Sequence, residues 1–164
     1  MIATTTTAEI PALAAAATRP AGTLPMSART ILVGLGTVRA VLGVDAESVL
    51  AQVDAGELKW VFNLALGMEK RTLRFYLPEL SAPAEVSRLA LAEVIARITG
   101  AGATIRRGEL ERRLVVSHVT IGRWIKERHI TLAAPGLVSR PSLESFLTTR
   151  WLGTLAPGKM GVKP

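Results

Sequence analysis

The clearest alternation of apolar and polar positions lies between Gly108 and Arg150. Leu110 and Leu114 stand four apart and predict a short helix over Glu109 to Leu114, after which Val115-Val116 turns the chain toward a second helix. Ser117 opens that helix as an N-cap, because its hydroxyl accepts from a free amide of the first turn. From His118 to Arg128 the apolar positions are Val119, Ile121, Trp124 and Ile125, a stripe expected to face a core. The other face carries His118, Thr120, Gly122, Arg123, Lys126 and Glu127. Short polar or small residues followed by cations suit a helix whose N-terminal half meets base edges and whose flanks meet phosphates.

Past His129 the pattern becomes extended. Ile130-Thr131-Leu132 and Leu137-Val138-Ser139-Arg140 predict two short strands around Ala133-Ala134-Pro135-Gly136, a small hairpin or wing. Pro141 then opens another helix, with Leu143, Phe146 and Leu147 inward and Arg150 near its end. Helix, turn, basic helix, wing, closing helix is the order of a winged helix-turn-helix. The segment resembles the excisionase and MerR-type DNA-binding domains on Val116, Ser117, Thr120, Ile121, Arg123, Trp124, Ile125 and Ile130, with Arg128 where a Gly is usual. The resemblance covers roughly the last third of the chain. It implies that the helix over 117–128 enters a major groove and that the wing near Gly136 to Arg140 touches the adjacent minor groove or backbone. The long coiled coil and effector-binding part of a MerR-type sensor are not found in this sequence.

The same pattern occurs earlier. Leu42 to Leu58 set beneath Leu114 to Ile130, at an offset of 72 positions, places Leu42 on Leu114, Val44 on Val116, Asp45 on Ser117, Val49 on Ile121, Val53 on Ile125 and Leu58 on Ile130. Lys59 to Ala65 and Thr72 to Leu77 then predict two strands around Leu66 to Arg71. Pro78-Glu79-Leu80 matches Pro141-Ser142-Leu143 at an offset of 63, so the first copy has the longer hairpin. The second helix of this copy, Ala46 to Ala55, presents Glu47, Ser48, Gln52 and Asp54, and acidic groups are repelled by phosphates. Its hairpin is the better candidate for a backbone or minor-groove contact, through Lys59, Lys70, Arg71 and Arg74. The competing reading makes this copy a packing or protein-contact domain.

Between the copies, Ser81 to Glu85 starts a helix expected to run to about Ile98 and to stop at Thr99-Gly100, with Glu93 and Arg97 as an i,i+4 pair. Its apolar face, which includes Val86, Leu89, Val94, Ile95 and Ile98, suits packing of the modules or dimerisation. The expected organisation is a flexible tail over 1–30, a first module over 31–82, a connecting helix over 83–100, a second module over 101–152 and a flexible tail over 153–164. The fold class is mainly α with small β-hairpin wings (α+β), two tandem winged helix-turn-helix modules joined by a helix.

Charge sharpens the picture. The chain of 164 residues has a formal net charge of +7. Met1 to Thr30 carries 2 basic and 1 acidic residues, Ile31 to Ala82 carries 5 and 6, and Pro83 to Pro164 carries 13 and 6, so the excess lies with the basic helix. A polyanion partner fits that distribution. The absence of cysteine excludes disulfides, thiol catalysis and Cys-ligated zinc. His118 and His129, eleven apart and without a carboxylate cluster at ligand spacing, do not predict a metal site. Ser117 has no base and orienter in sequence, Gly34-Leu35-Gly36 is too short for a phosphate loop, and neither a Walker nor a dinucleotide fingerprint is present. Apolar runs are broken before the about 20 residues that a membrane span needs, and the N-terminus lacks the cationic start and apolar core of a signal peptide.

The expectation is therefore a cytoplasmic, non-enzymatic protein without cofactor or metal that binds double-stranded DNA sequence-specifically. It would act as a transcriptional regulator or as an architectural factor in recombination or replication. Candidate contacts are Ser117, His118, Thr120, Arg123, Lys126 and Arg128 on the helix, Arg106, Arg107 and Arg140 around it, and Lys70, Arg71 and Arg74 in the first hairpin. A homodimer or a cooperative assembly on DNA is compatible with this reading; a membrane or a small-molecule substrate is not expected. The alternatives are a protein-protein adaptor built on degenerate winged modules, kept open by the acidic first copy, and RNA binding.

Overall fold

Strand, helix, helix, hairpin, helix occurs twice along the chain. The computed structural model describes residues 30–66 and 72–153. The first half runs β1 (Leu32–Gly34), α1 (Leu35–Leu42), α2 (Ala46–Asp54), β2 (Val61–Asn63), β3 (Leu73–Tyr76) and α3 (Leu77–Ser81). After α4 (Pro83–Val86) and α5 (Leu91–Thr99), the second half runs β4 (Thr104–Arg106), α6 (Arg107–Leu114), α7 (His118–Lys126), β5 (Leu132–Ala134), β6 (Leu137–Ser139) and α8 (Arg140–Arg150). The described residues thus form an α+β fold, with eight helices and two three-stranded antiparallel sheets ordered β1-β3-β2 and β4-β6-β5. The tails expected over 1–30 and 153–164 lie almost wholly outside the described residues, as do Lys70 and Arg71.

The internal repeat holds in backbone detail. At an offset of 72, α1 matches α6 and α2 matches α7 at both ends. The pairing Leu32↔Tyr76, Val33↔Phe75, Gly34↔Arg74 recurs as Thr104↔Ser139, Ile105↔Val138, Arg106↔Leu137. Asp45 caps α2 by accepting from the Ser48 amide at 2.7 Å, and Ser117 caps α7 by accepting from the Thr120 amide at 3.2 Å. The turns before and after α2 use left-handed backbone at Gly43 and Gly56; those around α7 use it at Val115 and Arg128. A side chain with a Cβ disfavours that conformation by about 1–2 kcal/mol, so the second copy keeps the turns with less suitable residues. A strut is also repeated: the Lys59 amide donates to Glu79 Oε1 at 2.8 Å, and the Thr131 amide donates to Ser142 Oγ at 2.7 Å.

Four elements differ from the expectations. The strands β1 and β4 are not predicted by the sequence pattern, because three residues leading into a helix carry no period of their own. In the second hairpin the strand starts at Leu132 and includes Ala133 and Ala134, with a register irregularity between Leu132 and Ala134. The connecting helix is broken into α4 and α5. Its break follows from tertiary hydrogen bonds: Trp60 Nε1 donates to the Val86 carbonyl at 3.0 Å and Lys59 Nζ to the Ser87 carbonyl at 3.3 Å. Glu93 does not pair with Arg97 but folds back to accept from the Ala90 amide at 2.8 Å, capping the restarted helix.

Strand alternation explains how the halves join. In the first sheet Val33, Val61, Leu73 and Phe75 face α1 and α2, where Val38 and Val49 complete a small core. Leu32, Phe62 and Tyr76 point the other way, into the main core with Leu110, Leu114, Ile121, Trp124, Phe146 and Leu147 of the second half and Val94, Ile95 and Ile98 of α5. Trp60, at the entry to β2, joins them and stacks on Trp151 at a centroid separation of 5.4 Å. The Leu152 amide donates to the Val61 carbonyl at 2.9 Å, which covers the edge of β2. The first sheet is therefore buried on both faces. The second sheet buries only Ile105 and Val138, and β5 is exposed along its whole length.

Candidate nucleic-acid interface

The cap, the burial of two large residues and a pair of turns fix α7. Ile121 and Trp124 are fully buried, which anchors one side of the helix. Val119 is not part of that side: it is 60% exposed. Two residues before Ile121 is about 200° around a helix of 3.6 residues per turn, so Val119 must lie opposite. The outward face accordingly carries His118, Val119, Arg123 and Lys126, all exposed, with Thr120 and Gly122 partly covered. Ser117 is exposed, but its hydroxyl is occupied by the Thr120 amide and lies 3.0 Å from Thr120 Oγ1. These two hydroxyls hold the first turn. Arg128 lies just past the helix in the left-handed turn and is exposed.

Two consecutive arginines stand where β4 meets α6, and the second lies along α7. Arg106 is exposed at the end of β4. Arg107 Nη2 donates to the His118 carbonyl at 3.1 Å and would stand 3.5 Å from a Cβ at position 122, so the guanidinium lies along α7 beside Gly122. The Arg107 amide also donates to the Gly136 carbonyl at 3.1 Å, which ties the hairpin turn to the start of α6. Among the described residues Arg106, Arg112, Arg123, Lys126 and Arg128 are exposed and form no ion pair, whereas Arg113 pairs with Glu109 and donates to the Ile98 carbonyl.

Arg140 is placed differently from the expected wing contact. Its Nε donates to Glu144 Oε1 at 2.7 Å and its Nη1 to the Gly102 carbonyl at 3.3 Å, at the base of the hairpin. From Leu132 to Ser139 the hairpin has no charged side chain at all, and Leu132 is 42% exposed.

The first hairpin departs furthest from the expectation. Arg74 does not face outward; its Nη2 donates to the Val115 carbonyl at 2.7 Å and its Nε to the Leu114 carbonyl at 3.1 Å, across the boundary between halves. Burial pulls its pKa down from the usual arginine value. Lys59 is likewise committed, with Nζ on the Ser87 carbonyl and 4.4 Å from the Trp60 ring centroid. Two cations read as a wing surface instead bind carbonyls of neighbouring elements. Lys70 and Arg71 lie outside the described residues.

Placing the two second helices in register isolates what distinguishes them. His118, Val119, Arg123 and Lys126 of α7 correspond to Ala46, Glu47, Ala51 and Asp54 of α2. The backbone is the same, while the outward charge is reversed from cationic to anionic. Sequence reading recognised the acidity of α2 but missed Val119. Among the described residues no group of three His, Cys, Asp or Glu is placed to hold a metal ion, and no helix is long and apolar enough to cross a membrane. Comparison with protein-family models, with curated proteins and with solved structures finds no match for this chain.

Proposed function

We propose that the chain is a sequence-specific double-stranded DNA-binding protein built on two tandem winged helix-turn-helix modules. In this reading α7 enters the major groove, Arg123 and Lys126 meet a base edge and the phosphates, and Arg106 and Arg128 bind the flanking backbone. The observation that carries it is the charge reversal between two helices of matching backbone placement: of the two, α7 presents unpaired cations opposite its buried Ile121 and Trp124, and α2 presents carboxylates. The first module then serves as a scaffold, because its strands β2 and β3 are packed against the second half through Phe62 and Tyr76. The process served is control of transcription or an architectural role in recombination or replication.

Binding of the full chain to random-sequence duplex across a salt series tests this directly. Five exposed cations without ion pairs around α6 and α7 would neutralise up to about five phosphates, so the logarithm of affinity should fall with the logarithm of salt with a slope of about −3 to −4.5. Absence of duplex binding at low salt overturns the reading. A second reading, a protein-protein adaptor, is favoured by one observation: Glu47, Asp54 and Glu57 are exposed on and just after α2, without ion pairs among the described residues. It becomes the leading one if no duplex is bound and a basic partner is.

A further inference from the structure

Val119 has the highest exposure of any large apolar side chain among the described residues, and no core contact or cap requires it there. It stands in the first turn of α7, one turn before Arg123 on the same face, with His118 beside it and Lys126 beyond. An apolar side chain set among unpaired cations does not resemble a patch awaiting an apolar protein surface. It suits a partner that presents a methyl group beside hydrogen-bond acceptors within a strongly anionic frame. The major-groove edge of thymine has that chemistry, with its C5-methyl next to the O4 acceptor and phosphates on either side. The corresponding residue of α2 is Glu47, which both the methyl and the phosphates would disfavour.

We propose that Val119 is a specificity-determining residue that packs on the C5-methyl of a thymine in the target duplex. The spacing constrains the site further. Residues four apart on one helix face have Cβ atoms about 5–6 Å apart. With a rise of about 3.4 Å per base pair, the thymine lies about one to two base pairs from the base that Arg123 contacts. This inference rests on the DNA-binding reading given above.

The test starts from a preferred duplex selected by the full chain out of a random pool at low salt. Each thymine is then replaced singly by deoxyuridine, which keeps the base pair and removes only the C5-methyl. The wild-type chain should lose affinity about fourfold at one thymine, the effect of exposing one buried methyl-sized group. Val119→Ala should bind the unmodified duplex more weakly and be indifferent to the same replacement. Because Val119 is exposed, this variant is expected to fold, and its thermal melt verifies that. If no single replacement affects the wild type, or if Val119→Ala keeps the same sensitivity, the assignment of Val119 falls while DNA binding stands. If no duplex is selected, both readings fall together.

Discussion

Arg74 Nη2 donates to the Val115 carbonyl at 2.7 Å, joining two residues 41 positions apart in sequence. The contact binds a strand of the first half to the left-handed residue at which α6 turns toward α7. Its Nε also takes the Leu114 carbonyl, so one guanidinium satisfies helix-end carbonyls that the helix itself cannot. The turn that aims α7 is therefore held from outside its own half of the chain.

Replacing Arg74 by Ala should destabilise the chain by about 2–3 kcal/mol, since charge-assisted hydrogen bonds contribute about 1.5–3 kcal/mol and two carbonyls lose their donor. Arg74→Lys should recover only part of that, because an ammonium cannot span both carbonyls as the fork does. The urea midpoint with an unchanged slope is the readout. A midpoint equal to that of the wild type for Arg74→Ala would contradict the joint described between the halves.

Val115→Gly should raise stability by about 0.5–1 kcal/mol: relief of the left-handed strain, about 1–2 kcal/mol, is partly offset by the greater freedom of Gly in the unfolded chain. Gly43→Val, the reverse change at the equivalent turn of the first half, should lower it. The two variants compared in one denaturation series decide the matter, and a loss of stability in Val115→Gly would contradict the strain argument.

Glu79 is 5% exposed and accepts from the amides of Lys59 and Trp60 at 2.8 and 3.0 Å. Burial holds its carboxyl above the ordinary value of 4.5, against the lowering pull of those amides. The folded chain thus takes up this proton more readily than the unfolded chain. Its contribution to stability is greatest in acid, falls as pH rises from the ordinary value of 4.5 through the raised folded-state value, and is constant beyond. Glu79→Gln should remove that slope and cost about 1–3 kcal/mol at neutral pH, because the amide group can accept from one backbone N–H but opposes the other with its own NH2. Stability of the two chains measured from acid to neutral pH checks both effects; an equal slope in each would assign it to another group.

How far the sequence carried the reading depends on the kind of information each feature needs. The offsets of 72 and 63 are visible because helix caps and apolar spacing are local, and the caps Asp45 and Ser117 and the starts of α2 and α7 follow from them, whereas α2 stops one residue and α7 two residues before the expected ends. Val119 was readable in principle: its angle from Ile121 excludes it from the buried stripe, and only its apolar character suggested otherwise. Arg74 was not readable. Alternation puts it on the same side of β3 as Tyr76, yet a hairpin with charged residues reads as solvated until a second module is known to cover it. The break between α4 and α5 likewise depends on Trp60 and Lys59 reaching carbonyls 26 and 28 positions away, with no Gly or Pro at the break to mark it.

If α7 and not α2 meets DNA, Arg123→Ala should bind the selected duplex more weakly, and its affinity is the measurement to make. This variant places on α7 the residue that α2 has at the corresponding position, Ala51, and removes an exposed side chain without disturbing the core. The expected result is a loss of about 1–3 kcal/mol on the preferred site, a smaller loss on random duplex and an unchanged melting temperature. Unchanged affinity for the preferred site, with the fold intact, would contradict it.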